Sequence, residues 1–333
     1  MKRISLFRAA LMSTCGDVFI TSLVIKLWNE RWRDEIDKFY INFNNHCQVP
    51  SGVVGEFMRN IANDKKIVII YHPVGISNGP PQVELLKLCN EDLILLLEDD
   101  FFIFESGIVD NYFKKIESGE TDIVGSPRYT IGEVAEAAKK KYNLDYEGYG
   151  DRGFGWWPTG FFCKREDLLR TDLDFGSKKY PKGEYFKELD HTFENDDYTD
   201  TFTWTSVQLR YLGLRSIEIP SHKADPYEED SMRNKMMNWH PTQQPFNHIH
   251  GGSLSTSIGG YLSGRVPDVS PKGALEEMES RIAFWTIALG ATNGFDSLRS
   301  EYANGIDQLT KNINADGDRI AKKIEIYKNL MLV

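Results

Sequence analysis

Three consecutive carboxylates, Glu98-Asp99-Asp100, close an unbroken apolar run, Leu93-Ile94-Leu95-Leu96-Leu97. Acids packed this closely repel one another unless a cation or hydrogen-bond donors offset their charge. A hard divalent ion, Mn2+ or Mg2+, suits such oxygen ligands. The same residues also suit a solvated turn in which one acid caps a helix starting near Ser106. A second acidic cluster, Glu194-Asn195-Asp196-Asp197 with Asp200 close behind, precedes a stretch of helical spacing. A carboxylate at a helix N-terminus is kept ionised by the dipole, ready to accept a proton or simply to cap. His248 and His250 lie two apart in His248-Ile249-His250-Gly251-Gly252. On an extended segment both rings point to one side and could approach one metal, although a loop histidine is more often just solvated. His222 is a weaker candidate, and His191 and His240 read as structural or surface residues. Arg128 offers a planar fork suited to a diphosphate, or equally to a surface salt bridge.

The elements that must carry these groups are legible from spacing. Five apolar residues without alternation fit a strand buried on both faces, and in open α/β sheets ligands bind beyond the carboxyl ends of the strands. Further strands are predicted at Ile4–Leu11, Ile36–Phe43, Ile67–Tyr71 and Asp122–Gly125. Helices are predicted over Asp17–Trp28, Val53–Ala62, Gly79–Cys89 and Gly107–Ser118. That β-α-β-α order argues for a doubly wound sheet. The glycine- and aromatic-rich Tyr146–Thr159 reads as a loop. A strand at Phe161–Lys164 and a short helix around Arg165–Arg170 follow. A helix is expected from about Tyr198 to Leu212, stopped by Gly213, and then a strand at Ser216–Ile219. Ser221–Gly264 has little periodicity. Helical spacing returns over Leu275–Leu289 and Ile306–Leu330, where Leu309, Ile313, Ile320 and Ile324 make one apolar stripe. These helices are candidates for a homodimer contact, with packing on their own chain as the default.

Composition sets the bounds. The 333 residues are 26% charged and 41% hydrophobic, as in an ordinary globular protein. A formal net charge of −10 argues against nonspecific nucleic-acid binding. Cys15, Cys47, Cys89 and Cys163 form no CxxC pair, which fits reduced thiols and a cytoplasmic setting better than disulfides or a zinc site. No apolar stretch approaches the roughly 20 residues of a membrane helix.

The order of these motifs resembles the glycosyltransferases of the GT-A fold over roughly residues 1–225. In that family a nucleotide-binding α/β half ends in an acidic DxD motif at a buried strand, and an acceptor half follows. Glu98-Asp99-Asp100 stands in the DxD place, with Glu for the first Asp. Gly160-Phe161-Phe162-Cys163-Lys164-Arg165-Glu166-Asp167 resembles the family's glycine-led strand and helix start. The acidic cluster ending in Asp197, with the helix to Gly213, resembles its late acidic helix. The spacing departs from the family's, so either that helix is extended by about a turn or Asp200 is the equivalent acid. The first strand also ends in Arg8-Ala9-Ala10 rather than Pro-x-Tyr-Asn.

The resemblance implies an α/β, Rossmann-like mixed sheet flanked by helices, with a C-terminal helical extension. It divides the chain into a catalytic domain over 1–265 (nucleotide-sugar half 1–127, acceptor half 128–265) and a helical segment over 266–333. It implies transfer of a sugar from a nucleotide-diphosphate sugar to a glycan or other hydroxyl acceptor, inverting, with Mn2+ or Mg2+. Asp100 would be the metal ligand, and Glu98 would contact ribose or metal. His248 and His250 would complete the metal shell. Arg8, Ala9, Asp99 and Arg128 would line the nucleotide sugar. Asp197 would be the general base, with Asp196 and Asp200 as neighbours in contention. Trp156, Trp157 and Gly160 would face the acceptor, since aromatic planes suit the C–H faces of pyranose rings; ordinary tryptophan burial is the competing reading. Two alternatives stand beside this one. A nucleotidyltransferase is disfavoured because Ala9–Gly16 has no phosphate loop with a following lysine. A noncatalytic glycan or nucleotide-sugar binder is the other.

Overall fold

The structure is a computed structural model, and it describes residues 2–10, 17–44, 49–74, 79–98, 101–103, 106–125, 127–128, 132–142, 155–158, 160–219, 246–248 and 274–331. The first half alternates strand and helix: β1 (Arg3–Ala10), α1 (Asp17–Leu27), β2 (Lys38–Asn44), α2 (Ser51–Ile61), β3 (Ile67–His72), α3 (Pro80–Leu88) and β4 (Leu93–Glu98). Next come β5 (Phe101–Ile103), α4 (Ile108–Glu117), β6 (Ile123–Gly125), β7 (Pro127–Arg128), α5 (Glu133–Tyr142), β8 (Gly155–Trp156), β9 (Phe161–Lys164) and α6 (Arg165–Leu168). Four short strands follow: β10 (Lys178–Tyr180), β11 (Tyr185–Phe186), β12 (His191–Thr192) and β13 (Asp197–Thr199). The rest is α7 (Thr203–Tyr211), β14 (Ser216–Glu218), β15 (Phe246–His248), α8 (Ala274–Ala291), α9 (Asp296–Asn312) and α10 (Gly317–Met331).

Among the described residues the main sheet has seven strands in the order β14-β6-β9-β4-β1-β2-β3. β9 alone runs antiparallel to its neighbours β4 and β6. The sheet is therefore mixed and flanked by helices, as the sequence predicts. The apolar run of β4 is unbroken because its side chains feed two cores. Leu93, Leu95 and Leu97 join the cluster under α1, α2, α4 and the C-terminal helices. Ile94 and Leu96 join the opposite cluster with Leu85 and Leu86 of α3 and Leu209 of α7. All five are 0% exposed, and burying each contributes about 1.5–3 kcal/mol relative to leaving it in water.

β2 shows the same division with a functional consequence. Phe39, Ile41 and Phe43 enter the first core. The alternate residues Tyr40, Asn42 and Asn44 therefore face the α3 side, where Tyr40 joins the second core.

The C-terminal helices complete the first core. Phe284 of α8 packs on Phe102 with ring centroids 4.6 Å apart, and Phe295 meets Phe19 edge-on at 5.4 Å. The predicted stripe is buried in this chain's own core through Leu309, Ile313 and Ile320, with Ile324 packed against it. It is shared by two helices, because the one helix expected over Ile306–Leu330 breaks between Asn312 and Gly317. The break is held by the buried Glu279 carboxylate, which accepts the Asp316 N–H and a guanidinium N–H of Arg319. No helix among the described residues is long and apolar enough to cross a membrane. Cys89 and Cys163 are buried free thiols; burial pushes Cys89 up to about 11 and Cys163 well above the usual thiol range. Cys15 and Cys47 lie outside the described residues.

Two other elements differ from the sequence expectation. α5 lies in a stretch for which spacing predicted no helix, and α7 begins at Thr203 rather than near Tyr198. Residues Asp197–Thr199 pair instead with Lys178–Tyr180 as an antiparallel ladder. The alternation of β13, with Tyr198 exposed and Thr199 buried, is a period-2 pattern too short to stand out against the helix that follows it.

Candidate active site

Arg8, Ala9, Glu98 and Gly160, all singled out in the sequence, lie at the carboxyl end of the parallel strands. Arg8 near the end of β1 lies opposite Glu98 of β4 on one side and Asn42 of β2 on the other. Ala9 follows it, opposite Phe43. Asn44 pairs in register with His72 at the end of β3. β9 enters the sheet here with Phe161 opposite Leu96. Gly160, buried with φ +58°, turns the chain into β9 beside the end of β4. Glu98 is half-buried at the strand end.

Asp99, Asp100 and His250 lie outside the described residues, as do His222 and His240. Among the described residues no three Asp, Glu, His or Cys side chains come together as a metal-ligand set. One long-range pairing bears on the metal question. β15 runs antiparallel to β5 with His248 opposite Phe101, and Phe101 directly follows Asp100 in the sequence. The chain thus returns after nearly 150 residues to set His248 in register with the residue that follows the acidic run. A mixed set of carboxylate oxygens and imidazole nitrogen favours Mn2+ over Mg2+, which prefers oxygen ligands alone.

The N-terminus of α3 also opens onto this end of the sheet. It is no anion site: Pro80 and Pro81 carry no N–H, and the Gln82 and Val83 N–H groups both donate to the Gly79 carbonyl. Two residues that the sequence reading passed over are buried against it. Asn42 uses its Nδ2 to donate to the Pro81 carbonyl at 3.3 Å and to Glu84 Oε2 at 2.9 Å. Gln82 donates to the Pro158 carbonyl at 3.3 Å. Both residues are 0% exposed, and among the described residues neither Asn42 Oδ1 nor Gln82 Oε1 has a hydrogen-bond partner. A buried acceptor left unmet costs about 1–3 kcal/mol. His72 completes the group, its Nε2 lying 2.6 Å from Glu84 Oε2. The signal was present in the sequence as two asparagines on the alternate face of an otherwise apolar strand.

The second acidic cluster is divided by the structure. Asp197 is not at the start of α7. Its Oδ2 accepts the Val134 N–H of α5 at 2.9 Å, and its Oδ1 accepts the Tyr198 N–H at 2.8 Å, so it caps a helix distant in sequence. Gly132 passes so close that an added Cβ would lie 2.6 Å from Asp197 Oδ1. Asp196 is exposed and takes the Lys182 N–H at 2.8 Å. Asp200 lies at the turn into α7, where its carbonyl accepts the Thr203 N–H and its carboxylate the Thr201 N–H at 2.7 Å. Phe202, two residues on, packs on Phe161 at 5.1 Å. Through that contact the α7 N-terminus, and Asp200 with it, is tied to the carboxyl end of β4.

Trp156 corrects the expectation that it faces an acceptor. It is fully buried, with the Arg210 guanidinium 4.0 Å over its ring and its backbone N–H donating to Ser206 Oγ. It packs β8 onto α7 and leaves no face for a ligand. Trp157 is half-buried. Arg128 sits in β7 opposite Gly155 of β8.

The loop carrying Asp196 and Asp197 is held from α5 as well. The Glu133 carboxylate accepts the backbone N–H groups of Glu194 and Asn195, each at 2.7 Å, the Asn195 side-chain amide, and His191 Nε2. These donors, the Glu194 N–H first, hold its carboxyl down at about 2. A carboxyl lowered on folding contributes its full stabilisation above its unfolded value, near 4.5, and loses it as pH falls toward 2. Hydrogen-exchange protection at the Glu194 and Asn195 amides is therefore expected to fall across that window. In Glu133→Gln protection should be at least about tenfold lower already at pH 7 and nearly independent of pH. Equal protection in the two proteins would remove Glu133 from this role.

No family model matches the chain, and no curated protein matches it. Among solved structures, residues 1–349 of S. aureus TarS in complex with UDP-GlcNAc align at 10% identity with a TM-score of 0.43, covering 99% of this chain and 80% of that one. The mannosyltransferase PcManGT from Pyrobaculum calidifontis, in complex with GDP-Man and Mn2+, aligns at 12% identity with a TM-score of 0.40, covering 98% and 87%. At that identity, and with TM-scores below 0.5, these likenesses identify neither an activity nor a ligand for this chain.

Proposed function

We propose that the chain is a metal-dependent glycosyltransferase that moves a sugar from a nucleotide-diphosphate sugar to a hydroxyl acceptor, with inversion at the sugar carbon. The observation that carries the reading is the ladder between β5 and β15, with His248 opposite the residue that follows Glu98-Asp99-Asp100. A histidine brought from so far to an acidic strand end suits a divalent cation better than a solvated turn. The blocked N-terminus of α3 adds to this, because it leaves a diphosphate without helix N–H donors on that side.

Glu98, Asp100, His248 and His250 would hold Mn2+ or Mg2+. When bound, the ion supplies Lewis-acid stabilisation of the departing diphosphate. Arg8 and Ala9 border the nucleotide, and Arg128 is suited to its phosphates. Trp157 and Gly160 border the acceptor.

Asp200 is the general base in this reading, ahead of Asp197 and Asp196. Both oxygens of Asp197 already take backbone N–H groups, whereas Asp200 lies at the helix start tied to the end of β4. Its carboxylate takes the acceptor hydroxyl proton as that oxygen bonds to the anomeric carbon. The bond between sugar and diphosphate breaks on the opposite face, and the diphosphate leaves with the electron pair.

A calorimetric screen of UDP-, GDP- and dTDP-sugars, each with Mn2+ and with EDTA, tests the reading. Binding of at least one donor with Mn2+, lost with EDTA and lost in Asp100→Ala, is the expected result. Failure of every donor to bind would return Glu98-Asp99-Asp100 to an acidic turn.

A further inference from the structure

Beyond the reacting centre, the β10–β13 ladder and Gly132, just before α5, border an open cleft of about 790 Å3. Its lining includes Gly132, Lys179, Pro181, Asp196, Asp197 and Tyr198. We infer that this cleft holds the body of a neutral oligosaccharide acceptor, while the reacting hydroxyl sits at the α7 N-terminus. The inference rests on the transferase reading and deepens it by naming the acceptor class and its subsite.

Size is the first argument. Pockets for organic ligands of several rings run to roughly 300–1,000 Å3, and this cleft falls within that span. Its chemistry is the second. Tyr198 is 51% exposed and offers an amphipathic ring whose face suits sugar C–H groups while its hydroxyl stays in water. Asp196 spends one carboxylate oxygen on the Lys182 N–H, and among the described residues the other takes no hydrogen bond and suits a sugar hydroxyl. The exposed Lys179 ammonium adds a donor of opposite charge on the same wall. Two carboxylates disfavour a phosphorylated ligand, and the single lysine offsets part of their field, so a neutral hydroxyl-rich chain is the best match.

Rigidity is the third argument. α5 and the loop before β13 cap each other: Glu133 of the helix takes the loop N–H groups of Glu194 and Asn195, and Asp197 of the loop takes the helix N–H of Val134. A cleft fixed this way binds without first paying to order its walls. Continuity with the reacting centre is the fourth. β13 runs from Asp197 directly toward Asp200, three residues or about 10 Å of extended chain. An acceptor whose end reaches Asp200 therefore carries its next rings over Tyr198 and Lys179.

The test titrates the full chain with maltopentaose, chitopentaose, xylopentaose and mannopentaose by saturation-transfer NMR and calorimetry, alongside UDP and GDP with Mn2+. The proteins are wild type, Tyr198→Ala and Lys179→Ala, all changed at exposed positions. At least one pentasaccharide should bind the wild type, at least tenfold more weakly to Tyr198→Ala and severalfold more weakly to Lys179→Ala, with nucleotide binding unchanged. The cleft assignment is overturned if no pentasaccharide binds, or if both variants bind as well as wild type. Oligosaccharide binding at the cleft without any nucleotide binding would keep the cleft and sink the transferase reading.

Discussion

Replacing Asp200 by asparagine should lower kcat for sugar transfer by about 10²–10⁴-fold, the range that a positioned general base contributes, and leave donor binding unchanged. The substitution keeps the shape and the hydrogen bond from the Thr201 N–H, so α7 should still start at Thr203. What is lost is the capacity to take the acceptor proton. Asp197→Ala gives the contrasting result. It removes the acceptor for the Val134 N–H, and loss of such a cap costs about 1 kcal/mol of stability. Its effect on kcat should be far smaller than that of Asp200→Asn. Steady-state kinetics of both variants against wild type, with donor affinity measured separately, distinguish the two roles. If Asp197→Ala abolishes turnover while Asp200→Asn does not, the base assignment passes to Asp197.

The largest structural effect is expected at Gly79. Its φ of +96° is one that side chains rarely adopt, and an added Cβ would lie 2.3 Å from the Phe175 carbonyl oxygen. That carbonyl accepts the Phe202 N–H at 3.0 Å, so neither partner can withdraw without disturbing the start of α7. Gly79→Ala should therefore destabilise the fold by about 3 kcal/mol or more, combining backbone strain with a clash against fixed main chain. Thermal unfolding should fall by roughly 5 °C or more. Because Gly79 links the starts of α3 and α7, kcat should suffer in whatever fraction stays folded. A melting curve that overlays wild type would show that the contact can relax.

Local chemistry made much of the architecture readable. The five-residue apolar run of β4, the alternation in β2 and the β-α-β-α order each follow from one short-range rule, that a side chain's face is set by the period of its element. The strand at Phe161–Lys164 was equally plain, because Gly160 and the helix-forming Arg165–Leu168 bound it on both sides. α7 was misplaced because the acids before it favour a helix start, whereas the ladder with Lys178–Tyr180 claims Asp197–Thr199 for a strand. Tertiary pairing outweighed a local preference of a kcal/mol or less.

The acidic end of the apolar run, the two faces of the sheet and the residue types able to hold a cation or take a proton are all legible in the order of the residues. Those depend on neighbours within a few positions, and such neighbours are written consecutively. Only the tertiary structure decided which residues share a space. It laid His248 opposite Phe101, joined Asn42 to the first turn of α3 and Gln82 to Pro158, turned Asp197 into the cap of α5 and buried Trp156 under Arg210. Each of these joins segments dozens of residues apart, and their registers are set by how whole elements pack rather than by any local propensity.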